Sequence, residues 1–153
     1  MGFMKTTVLA IACLMSSASL LAAPHVDEHK YQGASAYDIP VTQPSKTVLG
    51  DAFQYPTGVP LVRSHMIEVA PGQTTSWHSH AVPLFVYVVS GEMTYDYGSR
   101  GKRTIKAGDA YIEAVNVCHR GTATGDAPAK IMSVFMGQMD PDQTVPTKCK
   151  GSE

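Results

Sequence analysis

Residues Gly72 to His80, GQTTSWHSH, set two histidines two positions apart, and a third, His119, follows about forty residues downstream. Side chains alternate faces along an extended strand, so His78 and His80 project to one side with Cβ atoms about 6 to 7 Å apart. Two imidazoles at that spacing can share one metal ion. Ring nitrogens sit about 2.0 to 2.1 Å from a zinc ion, and a third imidazole from a facing strand completes a three-ligand cap with a position left open. An isolated His-x-His also suits a surface or a hydrogen-bonded core, so the surrounding sequence decides between the readings.

That surrounding sequence has the rhythm of a β protein. Short strand-like runs at Leu61 to Ala70, Thr74 to His80, Leu84 to Val89, Met93 to Tyr97, Arg103 to Ile105, Ala110 to Ala114, Cys118 to Ala123 and Ala129 to Met136 are separated by Gly, Pro, Ser and Asp turns. Turns recur about every 8 to 12 residues and no segment sustains a 3.6-residue apolar period, which predicts an all-β sandwich or barrel. The length of 153 residues suits one domain, with 13 Gly and 10 Pro spread along it. The 12 basic and 13 acidic residues are scattered. Phosphate binding needs a segregated basic patch, so nucleic acid is not an expected partner.

The first 23 residues read as an export signal. Lys5 supplies the positive region, Val8 to Met15 the apolar stretch, and Leu20 to Ala23 the small-residue cleavage region. The apolar part is shorter than the ~20 residues of a stable membrane span. Cys13 raises lipid attachment as a second reading of this segment, and His25 and His29 follow in a polar arm. The expected organisation is a signal peptide at 1–23, an N-terminal arm at 24–50 with room for one edge strand, a barrel domain at 51–140 and a C-terminal tail at 141–153. Periplasmic or secreted localisation follows from that signal. After cleavage two cysteines remain, Cys118 and Cys149, and an oxidising compartment favours a disulfide between them. Cys118 also neighbours His119, which would suggest a thiol ligand, but adjacent strand residues face opposite ways.

The motif residues resemble the cupins, small jelly-roll proteins with two short signatures. In the first, a glycine is followed after five residues by His-x-His, then a glutamate and a glycine. Gly72, His78, His80 and Gly91 fall in register, whereas Leu84 occupies the glutamate position. The second signature places a histidine eleven positions after a glycine, matched by Gly108 and His119. Ala114, Asn116 and Ala123 stand where that family shows proline, glycine and asparagine. The resemblance implies a double-stranded β-helix, or cupin, barrel over roughly residues 60 to 136. It also implies homodimers formed through edge strands.

The expected centre is therefore one divalent transition metal ion, iron, zinc, manganese or copper, held by His78, His80 and His119. Imidazole suits all four metals. Leu84 is expected to line the substrate pocket as an apolar wall, leaving the ion without a compensating carboxylate and favouring small oxygenated or anionic ligands. Glu113 reads as an outer-shell base, a displaced ligand or an exposed strand residue, and with Tyr87 it is the main acid or base candidate. Trp77 should face away from the metal, Arg63 and His65 share one strand face, and Tyr95, Tyr97 and Tyr111 fit sheet positions by propensity. Two functions remain: an oxygenase, isomerase or related enzyme, or a non-catalytic metal- or ligand-binding barrel.

Overall fold

The computed structural model describes residues 33–149 apart from 35, 140, 142, 144 and 145. The signal segment with Cys13, and His25 and His29 of the arm, lie outside the described residues. The strands and His65, His78, His80 and His119 lie in the compact unit that begins at Ile39.

The described secondary structure is β throughout, with a single 3-10 turn at Gly98–Arg100. The strands are β1 (Val41–Thr42), β2 (Pro60–Val69), β3 (His78–Ser79), β4 (Leu84–Ser90), β5 (Glu92–Asp96), β6 (Lys102–Lys106), β7 (Ala110–Ile112), β8 (Arg120–Ala123), β9 (Ala129–Gln138) and β10 (Thr147–Lys148). One five-stranded sheet has the order β1-β7-β4-β9-β2, one three-stranded sheet the order β6-β5-β8, and β10 pairs with β3. Among the described residues no helix is long and apolar enough to cross a membrane.

Alternation explains how the two larger sheets share one core. Leu84, Val86 and Val88 of β4 are buried while Phe85 and Tyr87 between them are half-buried. Met93 and Tyr95 of β5 and Ile131 and Phe135 of β9 repeat the period of two, and these residues meet Leu84 and Val86 in a single cluster. The β4-to-β5 turn needs Gly91. Its φ is +78°, and a Cβ there would lie 2.7 Å from the Ala129 backbone.

Both flanking segments are tied to this core. Within the segment read as an arm, Val41–Thr42 pair in parallel with β7, and Thr47 and Val48 are buried. Within the segment read as a tail, Thr147 and Lys148 pair with Ser79 and His78. A disulfide joins Cys118 to Cys149 with the Cα atoms 6.0 Å apart. Cys118 thus serves as a cross-link beside the histidine cluster.

Candidate metal centre

Two backbone hydrogen bonds build the centre. The His78 N–H donates to the His119 carbonyl at 2.9 Å, and the His119 N–H donates back to the His78 carbonyl at 2.8 Å. Residues that exchange both bonds lie directly opposite one another and present their side chains to the same face. His80 joins through a neighbouring bridge to Val115, with the Asn116 N–H bonded to its carbonyl at 2.7 Å. The ring centroids then lie 4.9 Å (His78–His80), 4.6 Å (His78–His119) and 5.2 Å (His80–His119) apart. Three imidazoles bound about 2.1 Å from one ion, at angles of about 90° to 110°, would have centroids about 4.6 to 5.3 Å apart. The rings therefore fit a single-ion cap, and one nitrogen from each lies within 4.8 Å of the others.

Tautomer and charge also suit a metal. The Nδ1–H of His78 donates to the Ser76 carbonyl at 2.8 Å, and that of His119 donates to the Val117 carbonyl at 2.9 Å. A carbonyl can only accept, so Nδ1 carries the hydrogen in both rings and a neutral ring keeps its lone pair on Nε2. Burial pushes the His80 imidazole down to about 3, with His119 and His78 adding in the same direction. Burial likewise lowers His78. Both rings are held neutral near pH 7, the state a metal requires. His80 Nδ1 is buried without a hydrogen-bond partner, an orphan of the kind that marks functional centres.

The three rings line a cavity of about 130 Å³. Leu84 and Phe135 line the same cavity as apolar residues. Glu113 corrects two expectations. It is 2 % exposed rather than solvent-facing, and it lines the same cavity, which therefore does contain a carboxyl group. Register accounts for this. Tyr111 pairs with Val86 and Ile112 with Phe85, and the Glu113 N–H donates to the Leu84 carbonyl at 2.9 Å. Glu113 thus stands across the ladder from Leu84, on the inward face.

Its Oε1 accepts from the Tyr97 hydroxyl and from the Ala114 N–H, both at 2.7 Å. Oε2 lies 3.5 Å from the Tyr111 hydroxyl and 3.7 Å from His119 Nε2. Burial raises Tyr97 and Tyr111, and the neighbouring Glu113 reinforces both shifts, so these phenols remain protonated. Sequence reasoning treated these tyrosines as sheet filler. The signal was available in Met93, Tyr95 and Tyr97, whose period of two carries one face of β5 and its extension into the core.

Other singled-out residues lie elsewhere. Trp77 packs under the Arg120 guanidinium, 4.9 Å from the ring centroid, and faces a separate depression bordered by Cys118 and Cys149. Tyr87 is on the outer face of β4 and does not line the cavity. His65 reaches the cavity and packs 5.7 Å from the Phe135 ring, whereas Arg63 is not among its lining residues.

The family model described as Cupin domain matches residues 65–135, the stretch holding all three histidines and both sheets' central strands. Residues 65–135 thus form a cupin domain. No curated protein matches the sequence. Among solved structures, this cupin is similar to the DMSP lyase DddQ from Ruegeria pomeroyi DSS-3, with 17% identity, a TM-score of 0.50, and coverage of 60% of this chain and 44% of the lyase. A cupin-2 domain containing protein from Shewanella frigidimarina NCIMB 400 shares 22% identity over 49% of this chain and 70% of its own, with a TM-score of 0.43. Oxalate decarboxylase from Lactobacillus farciminis, solved as a formate complex, shares 24% identity over 54% of this chain and 25% of its own, with a TM-score of 0.45. The chain spans less than half the length of the lyase and a quarter of the decarboxylase. The likeness to DddQ concerns the fold alone.

Proposed function

We propose that this cupin is an exported metal-dependent enzyme acting on a small oxygenated compound at His78, His80 and His119. The observation that carries the proposal is the cap of three rings, two buried and that of His78 half-buried, spaced for one ion and facing a cavity that also holds a carboxyl group. A divalent ion held there, whether iron, manganese, copper or zinc, would supply Lewis acidity and, for the redox-active metals, one-electron chemistry. The Ser76 and Val117 carbonyls orient two of the ligand rings through their Nδ1–H groups. Leu84 and Phe135 exclude water from one side of the cavity, and Glu113 offers the proton-accepting group nearest the rings. A volume of about 130 Å³, below the ~300 Å³ of drug-sized pockets, restricts the substrate to a few heavy atoms.

Export belongs to the same proposal. The Cys118–Cys149 disulfide supports an oxidising compartment for the mature chain, in line with the signal reading of residues 1–23. Closure of the two sheets into a jelly-roll barrel is supported by their common core. Homodimer formation is supported by β2, whose ten residues pair with β9 on one edge and with no other described strand. The test of the enzymatic reading is a turnover screen of the protein loaded with iron(II), manganese, copper or zinc, offering small diketones, thiols and phenolic acids with and without dioxygen. Turnover lost in a His78→Ala, His80→Ala double variant is the expected result. Silence across the screen from a fully loaded protein would leave a binding barrel instead.

A further inference from the structure

Glu113 is a buried carboxyl group whose two oxygens are treated unequally. Oε1 is saturated by two short hydrogen bonds, from the Tyr97 hydroxyl and the Ala114 N–H. Oε2 accepts one long hydrogen bond, from the Tyr111 hydroxyl at 3.5 Å, and lies 3.7 Å from His119 Nε2, so it keeps capacity for a shorter, stronger bond. The Tyr97 and Ala114 bonds fix the carboxyl plane, so Oε2 is held toward the rings. Glu113 is nonetheless outside the group of side chains whose ligand atoms converge within 4.8 Å.

A rigid, under-satisfied acceptor beside a three-ring cap and outside its ligand set matches one role. We infer that Glu113 Oε2 accepts a hydrogen bond from the molecule bound at the open position of the centre. It would thereby select small ligands that carry a hydroxyl next to their metal-binding atom over isosteric ligands that lack one. The inference rests on the metal reading of the three histidines. Leu84 sharpens it. It stands across the β4–β7 ladder from Glu113 and offers no polar atom, so Oε2 is the acceptor that position presents to a ligand. A site built around a buried acceptor discriminates strongly against analogues without the matching donor, because the acceptor is then left unpaired.

The test compares glycolate with acetate, which have the same charge and differ in one hydroxyl. Cobalt(II) is loaded into the wild-type protein and into E113Q and E113L variants, and dissociation constants are read from the cobalt absorption bands. Wild type should prefer glycolate. The preference should fall about tenfold in E113L, the loss of one hydrogen bond to a charged group, and by less in E113Q, whose amide oxygen still accepts. Cobalt stoichiometry should stay near one in all three proteins. An unchanged glycolate-to-acetate ratio in folded, loaded E113L would overturn the inference and leave Glu113 as packing. Loss of cobalt from folded E113Q would overturn it differently, by making Glu113 a ligand. A wild-type protein that takes up no cobalt would instead strike the metal reading itself.

Discussion

Burial holds the His80 ring near a pKa of about 3, whereas the same side chain in an unfolded chain titrates near ~6.5. As pH falls below ~6.5 the unfolded state takes up the proton first, so stability present above that value is lost progressively down to about 3. His78 is lowered as well and adds in the same direction. For the metal-free protein we predict a urea midpoint that falls between pH 7 and pH 4, with His80 contributing on the order of 5 kcal/mol over its full window. An H80Q variant should show a visibly flatter dependence, and an unchanged slope would contradict the assignment. The histidines were legible in the sequence because their evidence is local: a period of two in His-x-His and a distant partner. Glu113 was not, because strand alternation says which residues share a face and not which face is inward. Its orientation depends on the pairing of Tyr111 with Val86, a contact between positions 25 apart.

At the level of elements, runs with strong apolar alternation were readable, and β2, β4, β5 and β9 lie within a residue or two of their expected bounds. The run Thr74 to His80 was expected as a longer strand and contains only the two residues of β3. Its backbone instead spreads its pairings, with isolated bridges from Thr74 to Thr122 and from His80 to Val115. The strand β10 was not anticipated, since Thr147–Lys148 carry no periodic signal and gain their place from long-range pairing. That pairing sets Lys148 against His78, and the disulfide fixes Cys149 next to it. Cross-linking residues 31 apart stabilises a fold by about 3 to 4 kcal/mol on the chain-entropy account. A C118S/C149S variant should lose stability of that size, and hydrogen exchange should show its largest local loss of protection where β3 pairs with β10, at Ser79 and Thr147. Uniform loss across β4 and β9 would mean that the link stabilises the whole sheet and does not pin β10.

For the molecule as a whole, a turn rhythm and two short signatures led to the cupin fold, and the shared core of two sheets explains why three histidines separated by up to 41 positions can meet. The same core places an apolar wall at Leu84 and a carboxyl group at Glu113, so a divalent ion would face one buried acid carried just beyond the end of β7. Such a meeting of rings should hold one metal ion at His78, His80 and His119. The measurement that tests it most directly is elemental mass spectrometry of the purified protein, before and after incubation with iron(II), zinc, manganese or copper, beside the His78→Ala, His80→Ala variant. Wild type should carry close to one equivalent of a transition metal, and the variant should lose it while remaining folded. A wild-type protein that stays metal-free with all four ions, or a variant that retains its metal, would contradict it.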